Sequence, residues 1–394
     1  MNILQVIPYF PPAYAFGGPV RGAYLLSKEL VARGHKVVVY TTDAHDFSSR
    51  LNLSFNRIID GVFVYHFKNF NMFLVKHMKT YFTPNLLFHL KKMIKKFDVI
   101  HIHEYRTFQD IIVSHFARYY NIPYVIQTNG SLIYKDEKKI KKRIFDYIWG
   151  YNHLYKASKL IALSKFEVAQ YRSFGIPYNK ISLIPSVFDH TTHIDLSDRG
   201  NFRKQYNINM DEKIILYLGR IHKQKGLDIL VKAFFQVSQN MKNVYLIIVG
   251  PDDGYLSELK DMIIKLKLNK KVILTGPLYN EEKFEVYKDS NIFVLPSRYE
   301  AYSRSLREAL TFGLPVIATK VGGTGDLIID GKTGLLIDSE NIEQLSNSIL
   351  YLLNNFKKSI NIGKKGKLFI KNKFSTKKIV DKIEKLYENM IDIN

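Results

Sequence analysis

Short apolar runs recur along this chain, and each is followed by a stretch in which hydrophobic residues return every three or four positions. In the first half the runs are Ile3–Ile7, Lys36–Thr41, Val99–His103, Tyr124–Gln127 and Leu160–Leu163. In the second half they are Ile214–Leu218, Val244–Val249, Val272–Thr275, Ile292–Leu295 and Pro315–Ala318. Near-continuous apolar strands separated by amphipathic helices predict parallel sheets covered on both faces. Two such series predict an α/β chain of two Rossmann-like domains, 1–189 and 203–375. Between them His190–Gly200 is polar and without period, so 190–202 reads as a linker. The last segment, 376–394, predicts a helix with Ile379, Ile383, Leu386 and Met390 on one stripe. Val20, Tyr24, Leu25, Leu30 and Val31 are placed to turn the first long helix toward a sheet, and Asp330–Leu336 reads as a hairpin.

Composition narrows the class. The 394 residues are 46% hydrophobic, enough for two cores, and none is cysteine. A disulfide scaffold, a thiolate metal site and a thiol nucleophile are thereby excluded, and a reducing cytoplasm fits. The opening Met1–Phe10 lacks a basic start and is broken by Pro8, so a buried strand is expected rather than a signal peptide. No run reaches the length of a membrane span. The net charge of +22 fits either an anionic partner or a coding bias toward lysine. No zinc-finger or RNP-like pattern supports nucleic acid as that partner.

Candidate chemistry gathers where glycines follow strands. Gly17-Gly18 ahead of a helix lets backbone approach an anionic ligand, or is a flexible turn. Gly219-Arg220 through Lys225-Gly226 joins a strand to a helix and brings two cations, suited to phosphate oxygens. After Ile292–Leu295 comes Pro296-Ser-Arg-Tyr-Glu300-Ala-Tyr-Ser-Arg-Ser-Leu-Arg-Glu308. A helix starting near Ser303–Ser305 would aim its N–H groups at the strand ends as a second anion site. Glu300 above it and Glu308 one turn inside it can accept hydroxyl hydrogen bonds, or are surface charges.

Three stretches carry a resemblance: Leu218-Gly-Arg-Ile with Lys225-Gly, Glu300 to Glu308-Ala-Leu-Thr-Phe-Gly-Leu-Pro-Val-Ile-Ala-Thr, and Val321-Gly-Gly with Asp330-Gly-Lys-Thr-Gly. Phe16-Gly-Gly-Pro, Asp98–His103 and Leu160–Glu167 extend it over essentially the whole chain. The sequence resembles retaining glycosyltransferases of family 4, which implies the GT-B fold with two Rossmann-like domains facing across an interdomain cleft. It implies that Arg220 and Lys225 hold the donor diphosphate, Glu308 the ribose and Glu300 the sugar. Backbone at Gly219, Ser303, Arg304 and Ser305 would meet phosphate or sugar, Gly276, Leu278 and Tyr279 the base, and Gly17 and Gly18 the phosphate from the first domain. The terminal helix would cross back to that domain.

Three positions depart from the family pattern. Asn129-Gly130 stands where His-Gly is common, Glu300-Ala-Tyr-Ser303 where Glu-Gly-Phe-Gly is common, and Pro185-Ser-Val-Phe188 where Pro-Asn-Gly is common. Asn129 can hydrogen-bond a sugar but not carry charge. The expected partners are a nucleotide-sugar donor, most commonly UDP-linked, and a glycan or lipid-linked acceptor, with no cofactor and no metal. A GT-B epimerase and a non-catalytic sugar-nucleotide-binding subunit are the competing functions. Leu90–Phe97 and Lys135–Arg143 are basic, and aromatic residues follow the second, which suits either peripheral attachment to the inner face of an anionic membrane or a solvated helix face.

Overall fold

The structure, a computed structural model, describes all residues but 47, 79, 133–138, 189–198 and 393–394. Contacts divide the chain into two units, Met1–Asp189 together with Thr376–Asn394, and His190–Ser375. The sheet of the first unit contains β1 (Asn2–Val6), β2 (Lys36–Thr42), β3 (Asn56–Ile59), β4 (Val62–Phe67), β5 (Val99–His103), β6 (Tyr124–Gln127), β7 (Lys159–Ala162) and β8 (Ile181–Leu183). Its order is β3-β4-β2-β1-β5-β6-β7-β8. Every pair is parallel except β3 with β4. That hairpin turns at Asp60-Gly61, both with positive φ (48° and 80°), the turn whose twist suits two antiparallel strands. It was not legible as an apolar run because β3 is an edge strand without a fully buried residue.

The helices of this unit are α1 (Gly18–Ala32), α2 (Met72–Met78), α3 (Asn85–Met93), α4 (Phe108–Tyr119), α5 (Lys139–Phe145), α6 (Tyr151–Lys156) and α7 (Lys165–Ser173). On α1 the buried stripe is Val20, Ala23, Leu26, Ser27 and Leu30. Tyr24, Leu25 and Val31, expected to face the sheet, are only partly covered. The small Ala23 and Ser27 set the face because they let the helix lie close to the strands, and Tyr24 is drawn aside to hydrogen-bond Asp60.

The second unit holds β9 (Lys213–Leu218), β10 (Val244–Val249), β11 (Val272–Gly276), β12 (Ile292–Leu295), β13 (Val316–Thr319) and β14 (Leu335–Ile337), all parallel, in the order β11-β10-β9-β12-β13-β14. Its helices are α8 (Asn201–Gln205), α9 (Leu227–Asn240), α10 (Leu256–Lys265), α11 (Asn280–Asp289), α12 (Arg304–Thr311), α13 (Thr324–Leu327), α14 (Ile342–Asn354) and α15 (Phe356–Lys373). The stretch expected as linker lies outside the described residues up to 198, and its end is already ordered: Asn201 opens α8 and Phe202 is buried. The hairpin expected over Asp330–Leu336 is instead a tight turn closed by one Asp330–Gly334 bridge. Leu335–Ile337 leaves that turn to pair parallel with β13, where its apolar residues find cover.

Helix α16 (Thr376–Asp392) belongs to the first unit. It buries Ile379, Val380, Ile383, Leu386, Tyr387 and Met390, so the expected stripe is widened by two residues. The Tyr387 hydroxyl pairs with His101 Nδ1 of β5 at 2.7 Å and accepts Gln5 Nε2 of β1 at 3.3 Å. Glu384 and Asp381 take Arg33, the latter at 2.7 Å. Burial holds His101 and His103 well below the usual imidazole range, so the histidine part of this seam is neutral.

Candidate active site

In the second unit, β9 and β12 are neighbours at the point where the strand order reverses. The connections leaving their carboxyl ends diverge to opposite faces of such a sheet and open a crevice, the usual ligand position in this architecture. Sequence puts the charged residues on these two connections. Gly219 to Lys225 leads from β9 into α9, and Pro296 to Ser303 leads from β12 into α12.

The two connections are locked together. Lys225 Nζ donates to Glu300 Oε2 at 2.7 Å, and Ser297 Oγ lies 3.4 Å from the same oxygen. Two glycines make this approach possible. A Cβ on Gly226 (φ +68°) would lie 2.0 Å from the Pro296 carbonyl oxygen, and one on Gly322 (φ +56°) 1.8 Å from that of Glu300. Arg298 braces the same loops, donating to both carboxylate oxygens of Asp228 at 2.8 and 2.7 Å and to the Lys223 carbonyl at 2.6 Å. Lys223 itself is exposed, as a solvated position should be.

Helix α12 begins where its hydroxyl permits. Ser303 is the N-cap, its Oγ accepting from Leu306 N at 3.2 Å, and Ser305 Oγ lies 3.3 Å away. The φ of Ser303, −72°, is open to any residue, which explains why serine serves where the family commonly has glycine. The N–H groups of Arg304 and Ser305 lie in the first turn, ahead of the first intrahelical bonds.

Glu308 differs from its expected setting. It is 6% exposed rather than open. Oε1 accepts Lys283 Nζ at 2.8 Å and Arg304 Nε at 3.1 Å, and Oε2 accepts the Tyr287 hydroxyl at 3.1 Å. Burial and the adjacent Glu308 charge push the Tyr287 phenol well up, so it stays a donor. Lys283 and Tyr287 share one face of α11 at i, i+4, and this spacing was the only sequence signal for them.

Arg220 reaches Asp253 and is half exposed. Gly219 N donates to Val249 O at 2.9 Å, and Gly276 O accepts Gly250 N at 2.9 Å, so the ends of β9, β10 and β11 are tied side by side. Beyond β11, Leu278 is partly covered and Tyr279 is 53% exposed. The remaining sequence candidates lie in the first unit. Gly17 (φ +83°) precedes α1, and a Cβ on Gly17 or Gly18 would meet nothing within 4 Å. Asn129 (φ +51°) follows β6, its Oδ1 accepting from Gln127 Nε2 at 2.7 Å and its Nδ2 3.4 Å from Glu104 Oε1.

Comparison with known proteins identifies the family. Residues 16–192 match the model described as Glycosyltransferase Family 4, and residues 198–369 match Glycosyl transferases group 1. An uncharacterised glycosyltransferase of Methanocaldococcus jannaschii is 28% identical, over 91% of this chain and 93% of its own. A UDP-Gal:alpha-D-GlcNAc-diphosphoundecaprenol alpha-1,3-galactosyltransferase of Escherichia coli is 26% identical, over 82% of each chain. Among solved structures, HepE of Anabaena in complex with UDP-glucose superposes with a TM-score of 0.78 at 20% identity, covering 99% of this chain and 100% of that one. That likeness carries the GT-B fold.

Proposed function

Because the chain belongs to the nucleotide-sugar-dependent glycosyltransferases of family 4, we propose that it is a retaining enzyme moving a hexose or N-acetylhexosamine from a UDP-sugar to a glycan or lipid-linked acceptor in surface polysaccharide or glycolipid synthesis. The observation that carries this reading is the Lys225–Glu300 pair on the loops beside the capped start of α12. It offers a cation and helix N–H groups for a diphosphate and a carboxylate for sugar hydroxyls. The names of the E. coli and Anabaena relatives support UDP as the base carrier.

In this reading Arg220, Lys225 and the N–H groups of Arg304 and Ser305 take the diphosphate. Glu308 takes the ribose, the Gly276–Tyr279 turn the base, and Glu300 the transferred sugar. The acceptor oxygen bonds to the anomeric carbon on the face from which the diphosphate departs. The electrons of the broken C–O bond stay on the diphosphate, which also receives the acceptor proton. Positive charge fixed in advance stabilises that growing negative charge. Arg220, Lys225 and the α12 terminus supply this charge, so turnover is expected to persist in EDTA. Activity lost there and restored by manganese would overturn the metal-free step. Lys225→Ala should lower UDP release from UDP-hexose by about 100- to 1000-fold with the fold intact. Full activity would refute the assignment.

No helix among the described residues is long and apolar enough to cross a membrane. Part of the second basic stretch falls in 133–138, outside the described residues. Its remainder, α5, the π-helical turn Asp146–Gly150 and α6, exposes Ile140, Ile144, Tyr147, Ile148, Trp149 and Tyr151 beside Arg143. An apolar and aromatic face with basic neighbours suits an anionic bilayer surface, which supports peripheral attachment at the cytoplasmic face of the membrane. Flotation with phosphatidylglycerol vesicles should occur at low salt and fade at high salt. No binding at low salt would refute it.

A further inference from the structure

The first unit has its own point of strand-order reversal, between β1 and β5. The residues that follow these strands form a cluster the donor reading leaves largely unused. Glu104 follows β5 directly, with φ +81°, and Arg106 two residues on has φ +70°. Neither is glycine, and left-handed backbone at such residues is strained and persists where surrounding structure enforces it. Here the enforcement is visible. Arg106 donates to both oxygens of the buried Asp146, at 2.9 and 2.7 Å, and to the Leu132 carbonyl at 2.9 Å. The Tyr105 hydroxyl adds a third bond to Asp146 at 2.8 Å.

This lock leaves Glu104 partly exposed among groups that suit a sugar. The Tyr9 hydroxyl faces the Glu104 carboxyl. Asn129 Nδ2 lies 3.4 Å from Glu104 Oε1. Tyr9 stacks on Phe16 with ring centroids 4.5 Å apart, and Tyr81 meets both rings edge-on. Tyr9, Phe16, Glu104 and Asn129 all keep part of their surface open. A carboxylate beside an amide accepts and donates to vicinal hydroxyls, aromatic rings cover the apolar face of a pyranose, and the carboxylate repels phosphate. The chemistry therefore selects a neutral polyol over a second anion.

We propose that Glu104, with Asn129 beside it, binds hydroxyl groups of the carbohydrate acceptor against the Tyr9–Phe16 pair, held in place by the Arg106–Asp146 lock. This rests on the transferase reading above. Glu104 is a binding residue, and the acceptor proton still passes to the diphosphate. Its ionisation gives the site a pH signature. Burial, then the charge of Asp110 on α4 and Glu167 on α7, push the carboxyl up to about 8, while the facing Tyr9 and Asn129 oppose the shift. Tyr81 also faces it, with its own phenol raised by burial and by Glu104. The acceptor-only carboxylate forms as pH rises through this value, so acceptor kcat/KM should rise there too.

The test uses the full chain, UDP-hexose and a synthetic GlcNAc-diphosphate lipid as acceptor probe. At a pH above that value, where Glu104 is ionised, Glu104→Gln should raise the acceptor KM about 10- to 100-fold, the loss of one charged hydrogen bond, and it should flatten the pH profile. The Tm increase given by UDP should be unchanged. Glu104→Gly, which fits the φ of +81° without strain, should match or exceed the wild-type Tm and still lose acceptor use. An unchanged acceptor KM in Glu104→Gln overturns the proposal. So does a Glu104→Gly protein of lowered Tm and impaired UDP binding, which would make Glu104 structural, and so does a wild type that releases UDP but glycosylates no such lipid. A wild type without any UDP-hexose turnover refutes the transferase reading itself, and this assignment with it.

Discussion

Replacing Glu308 by alanine tests binding and folding at once, because the side chain is a buried member of a charged clamp. Lys283 and Glu308 side chains are each 8% exposed and 2.8 Å apart. Glu308→Ala removes the acceptor for Lys283, Arg304 and Tyr287 together. Breaking a buried ion pair from one side costs about 3–5 kcal/mol, because the remaining charge is left uncompensated. The cation of Lys283 lies 5.0 Å over the Phe284 ring, which softens the loss toward the lower bound. At about 2–4 °C per kcal/mol for a unit of this size, the second unit's melting transition should fall by about 6–12 °C. Differential scanning calorimetry resolves this if the first unit's transition stays in place. Glu308→Gln keeps an oxygen for Tyr287 and should fall by less. Lys283→Met added to Glu308→Ala should recover part of the loss, since the ammonium that lost its counter-ion is removed with it. UDP affinity in Glu308→Gln then reads the ribose contact apart from stability. A Glu308→Ala protein melting within about 2 °C of wild type, with no coupling to Lys283→Met, would refute the clamp.

Other expectations follow from single contacts. Gly322→Ala places a methyl against the Glu300 carbonyl. The loop must shift by about 1 Å, and donor turnover should fall by about 100-fold, more than any loss of Tm would explain. A Gly322→Ala enzyme of normal kcat/KM would contradict that geometry. Tyr387→Phe removes the partner of His101 Nδ1 and Gln5 Nε2. It should cost about 1–3 kcal/mol in the first unit's unfolding by urea, without altering UDP affinity. No change in that transition would mean the seam contributes nothing.

The apolar periodicity determined most of the architecture. Ten strands were readable as runs because parallel strands, covered on both faces, must be apolar throughout. Four strands were not read: the partly exposed β3, its hairpin partner β4, whose Phe63 is exposed, and the three-residue strands β8 and β14. The glycines and charges after β9 and β12 marked the donor loops, since backbone near phosphate needs small residues and cations wherever it occurs. What the sequence left open is who meets whom. Nothing in the chain order joins Lys283 and Tyr287 to Glu308, because helical spacing groups residues within a helix and is silent between helices. Glu104 reads as an ordinary residue after an apolar strand. Only the folded sheet brings it to Tyr9, Tyr81 and Asn129, with the Arg106–Asp146 lock two residues beyond its left-handed backbone. Local patterns fix secondary structure because each strand and helix must bury its own face. The site depends on contacts between distant segments, which packing alone decides.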